Sequence, residues 1–110
     1  MNTYLGNYSY FTSKRELDKA FKQHRDQNIH KMNDTDHDTL EMIRRHSVKS
    51  GTAHLKHDTI EKGIGKSNST VRRSLRKLNQ LGIIDRVHYI HPDIGGLGAN
   101  IYAIKLFEFK

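Results

Sequence analysis

Residues 55–84, LKHDTIEKGIGKSNSTVRRSLRKLNQLGII, constrain the fold more than any other part of this chain. Ile60 and Ile64 are one helical turn apart and mark the inner side of a short helix that breaks at Gly65. The polar run Ser67, Asn68, Ser69 and Thr70 then caps a second helix, expected over 68–81. Gly82 follows it, the residue type that tolerates a left-handed helix end. At about 100° per residue, Val71, Leu75 and Leu78 share one narrow sector. Ser69, Arg73, Arg76 and Gln80 fall opposite, Lys66 and Lys77 lie beside them, and Arg72 and Thr70 flank them. Between Lys66 and Gln80 there are five basic residues and no acid. The stretch therefore reads as two helices joined by a tight turn, the second apolar on one side and cationic on the other.

The flanking sequence supplies the elements such a helix pair needs for a core. Met1–Phe11 carries Tyr4, Tyr8, Tyr10 and Phe11 and reads either as a strand or as an arm that docks by its aromatic rings. Ser13 and Glu16 form a capping-box pair. Leu17, Ala20, Phe21 and His24 then mark one stripe of a helix ending near Asn28. A second box-like pair, Thr35 with Asp38, opens a helix with Leu40 and Ile43 inward, joined by His46 or Ser47. Ser50 and Gly51 stop it, and Thr52–Leu55 is short enough for an edge strand. Asp58 is a candidate cap for the next helix. After Gly82, Ile83–Ile90 and Asn100–Phe107 are strand-like, with Pro92, Gly95, Gly96 and Gly98 in the connection between them, as in a hairpin with a long loop.

Charge narrows the partner. With 19 Lys and Arg against 12 Asp and Glu, the net charge of +7 favours a polyanion or an anionic surface. A chain of 110 residues suits one modest core. No run of about 18 apolar residues is present, and the N-terminus has no signal pattern, so neither a membrane span nor secretion is expected. The absence of cysteine excludes disulfides and thiolate metal sites and fits a cytoplasmic, nucleoid-associated location. The final residues, Leu106–Lys110, stop in strand-like sequence, a pattern compatible with a piece of a longer protein.

From Asp36 to Leu106 the order resembles the winged helix-turn-helix of bacterial regulators, including GntR-like repressors, and of phage and plasmid replication proteins. The resemblance rests on Ile64 through Arg73, followed by Leu75, Leu78, Gly82, Ile83 and Ile84. It implies an α+β fold, a three-helix core with a C-terminal β-hairpin wing, to which the first helix and the aromatic arm are additions. On that plan residues 1–34 form an N-terminal arm and helix, and 35–110 form the winged-helix domain. The resemblance further implies that Ser67, Asn68, Ser69, Thr70 and Arg72 contact DNA. GntR-like proteins often carry Arg at the position of Asn68; an amide pairs with adenine instead of guanine. The wing would be His91–Ala99, which holds no Arg or Lys and reads equally as a plain hairpin loop.

Other motifs fail on spacing. Gly65-Lys66-Ser67 imitates a phosphate-binding loop, but the upstream glycine position holds Ile60. Asp34 to Asp38 resembles the start of a calcium loop, yet its sixth position is Thr39 and its twelfth is Arg45. His54 and His57, like His88 and His91, are three apart and lack an evident third ligand. No paired carboxylate or nucleophile–base arrangement stands out, so neither catalysis nor a cofactor nor a metal is expected.

The expected function is sequence-specific binding of double-stranded DNA as a transcription regulator, with helix 68–81 in the major groove. Arg72, Arg73 and Arg76 would read or clamp the groove, Ser67, Asn68, Ser69 and Thr70 would fix the helix start, and Lys66 and Lys77 would hold phosphates. An origin-binding role in phage or plasmid replication fits the same helix. A protein-interaction module of the antirepressor kind is the alternative of another class, favoured only by the aromatic arm. The helix bearing Leu17, Ala20 and Phe21 serves either a homodimer or the chain's own core.

Overall fold

Ser13 opens the first helix, α1 (Lys14–Gln27), its side chain accepting the Glu16 amide at 3.2 Å in a computed structural model of the chain. The structure describes residues 9–11, 13–49, 51–88 and 99–107. The elements that follow are α2 (Asp34–His46), β1 (Ala53–Lys56), α3 (His57–Ile64), α4 (Asn68–Gln80), β2 (Ile84–His88) and β3 (Ala99–Ile104). Among the described residues the architecture is α+β, four helices with one antiparallel sheet of order β1-β3-β2. That arrangement is compatible with a winged helix-turn-helix.

Two caps differ from the sequence expectation. At α2 the reciprocal box is Asn33 with Asp36, not Thr35 with Asp38: Asn33 Oδ1 accepts the Asp36 amide at 2.9 Å and Asp36 Oδ2 accepts the Asn33 amide at 3.0 Å. Thr35 already lies inside the helix, so its backbone cannot take the extended geometry a cap needs. At α3 the helix starts straight from β1 at His57, and Asp58 falls in the first turn instead of capping it. There its charge still suits the helix dipole, and it pairs with exposed Lys62 at 3.9 Å.

The helix ends follow the glycines. Gly65, at φ +69°, closes α3, and both its amide and that of Lys66 bond to the Glu61 carbonyl. A residue with a Cβ would cost about 1–2 kcal/mol in this left-handed conformation, although open space surrounds the position. At the end of α4, Gly82 at φ +78° completes a Schellman pair: Ile83 N bonds Leu78 O and Gly82 N bonds Asn79 O.

One core joins all these elements. Leu40 and Ile43 of α2, Ile60 of α3, Val71, Leu75 and Leu78 of α4, and Ile84 and Ile104 of the sheet are all buried in it. Each such aliphatic side chain contributes about 1.5–3 kcal/mol by leaving water. Ser47 completes the inner side of α2, bonding the Ile43 carbonyl at 2.6 Å, while His46 is exposed. Leu17, Ala20 and Phe21 belong to the same core, at 1%, 4% and 6% exposure. Those three side chains are thus spent within the chain and are not free to hold a second copy. Among the described residues β1 is an edge strand as expected, paired with β3 alone, and is shifted one residue, to Ala53–Lys56.

His24 is the buried titratable group of α1, 5% exposed, with Nε2 donating to the Lys105 carbonyl at 2.7 Å and Phe107 edge-on to its ring. Burial lowers its pKa from the ordinary value near 6.5, outweighing the carbonyl bond that favours the charged form. Over the window from about 6.5 downward, the unfolded chain therefore binds more protons than the folded one. Stability due to this site is complete above that window and falls as pH drops through it. Urea midpoints of the wild type are expected to fall between about pH 7.5 and 5.5, and His24→Gln is expected to flatten part of that fall. An identical fall in both proteins would remove His24 from the account.

Candidate nucleic-acid interface

α3, the turn at 65–67 and α4 form a helix pair packed on α2, with α4 also resting on β2. The amphipathic spacing of α4 turns Val71, Leu75 and Leu78 inward, so the opposite side faces solvent. The helix spans Asn68–Gln80, one residue shorter than expected, with Ser67 as its cap. Ser67 Oγ lies 3.0 Å from Thr70 Oγ1 and 3.4 Å from both the Thr70 amide and Ser69 Oγ. No acidic residue of α4 itself occupies its first turn.

Lys66, Ser67, Asn68, Ser69, Arg72, Arg73 and Arg76 are exposed. Among the described residues, no ion pair ties up Lys66, Arg72, Arg73 or Arg76. Arg73 sits one turn beyond Ser69, and Arg76 one turn beyond Arg72. The exposed surface therefore has two rows: Ser69 with Arg73, and Arg72 with Arg76.

Three of the expected residues are engaged by the protein itself. Thr70 is half-buried beside Ser67. Asn68 Nδ2 donates to Glu61 Oε2 at 3.0 Å, which ties the start of α4 to α3 and places a carboxylate beside it. The larger correction concerns Lys77. Its Nζ lies 2.7 Å from Asp36 Oδ2, and Asp36 is 2% exposed. Lys77 is half-buried and serves this internal pair, so it is poorly placed to hold a phosphate.

Around Asp36 the structure builds a network that helical spacing alone did not reveal. Ser74, buried on α4, donates to Asp36 Oδ1 at 2.7 Å and lies 3.2 Å from Thr39 Oγ1. Burial by itself would push the Asp36 carboxyl up. The bonds from Lys77, the Asn33 amide and Ser74 outweigh it and hold the pKa below the usual value. Asp36 thereby caps α2 and fastens α4 at the same time.

Arg86 on β2 is a second residue the sequence reading missed. It is exposed and lines one cleft with Arg72, Leu75, Arg76 and Asn79. The signal for it was only its place in the strand after Gly82, since nothing local marks which way that strand turns. The expected wing, His91–Ala99, falls almost wholly outside the described residues, as do Tyr4 and Tyr8 of the arm. Tyr10 is described, and its hydroxyl donates to Asp85 of β2.

No helix among the described residues is long and apolar enough to cross a membrane, and no group of three or more metal-ligating side chains is found among them. No curated protein and no solved structure matches the chain. A family described as a helix-turn-helix domain does match, over residues 40–84, the span from the middle of α2 to the start of β2 that contains the whole helix pair and its cationic side.

Proposed function

We propose that this chain is a sequence-specific double-stranded DNA-binding protein that regulates transcription, with α4 in the major groove. The observation that carries the reading is the solvent-facing side of α4, where Arg72, Arg73 and Arg76 stand free of carboxylates on the second helix of a helix-turn-helix match. An α-helix fits the major groove, and guanidinium groups pair bidentately with guanine edges or with phosphates. Exposed Lys66, beside the start of α4, suits a phosphate at the groove edge. Ser67 and Ser69 are small enough there for close approach to the duplex. The antirepressor alternative drew on an aromatic arm, and of its described members Tyr10 commits its hydroxyl to Asp85 while Phe11 packs against the core.

Binding to a randomised duplex pool, followed by fluorescence anisotropy over a salt series, tests the reading. The expected result is a linear fall of log affinity with log salt, together with a recurrent sequence in the retained pool. Failure to bind at low salt would remove the DNA reading altogether. Retained sequences that map upstream of genes support a regulator; sequences clustered at an origin would assign the same helix to replication.

A further inference from the structure

We propose that Arg86 joins Arg72 and Arg76 to grip one backbone phosphate of the bound duplex, so that β2, and not only α4, sets the register of the protein on DNA. This rests on the DNA reading above and adds to it a residue outside the helix-turn-helix motif. The geometry begins with the sheet. Directly paired residues of antiparallel strands share a face, so Ile84 with Ile104 and Arg86 with Tyr102 lie on one side of the β2–β3 ladder. Ile84, Tyr102 and Ile104 belong to the main core, which makes this the face that looks toward α4. Arg86 is therefore the helix-facing residue of β2 just beyond the core, where the strand passes the exposed edge of α4.

Asn79 holds the two elements together at that place. Its Nδ2 donates to the Ile84 carbonyl at 3.1 Å, two residues before Arg86. Buried Leu75 gives the cleft an apolar wall, with Arg72 and Arg76 on one side and Arg86 across. Arg72 and Arg76 are a like-charged i,i+4 pair, an unfavourable arrangement on a bare helix. A third guanidinium adds to that repulsion, and no carboxylate among the described residues pairs with any of the three. An anion relieves it. Guanidinium groups match the tetrahedral oxygens of a phosphate with paired N–H donors. Position favours a duplex phosphate over a free one: the cleft opens beside the row of α4 that continues from Arg72, so a groove that admits α4 brings its backbone past this edge.

The test compares wild type, Arg86→Gln and Arg86→Lys on one duplex over a salt series. Nitrogen-resolved spectra of the arginine side chains are recorded alongside, with the duplex and with inorganic phosphate. Arg86→Gln is expected to lower the log–log salt slope by about 0.9, the value of one phosphate contact, with the same loss on every sequence. Arg86→Lys should restore the slope but not the full affinity. The Arg86 side-chain resonance should shift on adding duplex. Melting temperatures of both variants should match the wild type, because Arg86 is exposed. A normal slope for Arg86→Gln with an unmoved Arg86 resonance overturns the clamp and leaves the DNA reading standing. A wild type that binds no duplex, while inorganic phosphate moves Arg86, overturns both and reassigns the cleft to a free phosphate.

Discussion

Replacing Arg72 and Arg73 together by Ala is expected to weaken duplex binding by roughly 100-fold or more at about 0.1 M salt, while the fold stays intact. Each groove arginine contributes about 1–3 kcal/mol, and about 1.4 kcal/mol is tenfold in affinity. Both side chains are exposed and free of ion pairs among the described residues, so their loss removes no internal bond. Stability should change by no more than about 0.5 kcal/mol per site. The single variants separate the two rows of the helix. Arg73 stands in line with Ser69 on the outward row, so Arg73→Ala should relax the preference for the selected sequence. Arg72 lines the cleft with Arg86, so Arg72→Ala should weaken all sequences alike and flatten the salt slope. Anisotropy on the selected duplex and on a scrambled one measures both effects. Unchanged affinity in the double variant, with an unchanged melting curve, would take α4 out of the groove.

The second large effect falls on stability. Asp36→Ala is expected to destabilise the protein by about 3 kcal/mol, read as a lower urea midpoint. The carboxylate takes three donors on two elements at once. It accepts the Asn33 amide at the start of α2, the Ser74 hydroxyl of α4, and the Lys77 ammonium. Alanine removes the acceptor of all three donors and leaves a void among buried side chains. Lys77 is partly exposed and can turn to water, which keeps the loss below that of a fully buried pair. Asp36→Asn keeps the shape and should lose less. The same network predicts how Lys77 behaves. Lys77→Ala should lower the urea midpoint and leave the DNA salt slope near the wild-type value, whereas a phosphate-binding lysine would do the reverse. A fall of less than about 1 kcal/mol in Asp36→Ala would show that the hydrogen bonds around it contribute little.

These two predictions draw on different levels of the molecule. The cationic surface of α4 was legible in the chain because it is local. Three apolar residues at 71, 75 and 78 choose the inner side of one helix, and the rest of that helix must then face out. The same holds for its ends. Ser67 accepts from its own first turn, and Gly82 closes the last turn by bonds within six residues. Such contacts form between near neighbours, so the order of residue types is enough to place them. The start of α2 shows the limit of this logic. The sequence pointed to Thr35 with Asp38, whereas the helix starts two residues earlier and the box is Asn33 with Asp36.

What joins distant parts of the chain was decided only in the folded protein. The stripe of Leu17, Ala20 and Phe21 was equally good for a second copy or for the chain's own core, since an apolar face carries no address. Packing of α1 against the rest of the molecule consumed it. Lys77 looked like its cationic neighbours until Asp36, 41 residues earlier, came within 2.7 Å of it. Ser74 looked like an ordinary small residue until the same carboxylate met it. Arg86 acquired its place beside Arg72 and Arg76 from strand pairing, where the register with Tyr102 turns it toward α4. The sequence by itself determined the two ends of α4, its inward and outward sides, and the positive charge of that surface, because each depends on residues within a turn or two. The tertiary structure alone decided which cations remain free for a ligand, because a charge is free only where no distant carboxylate reaches it.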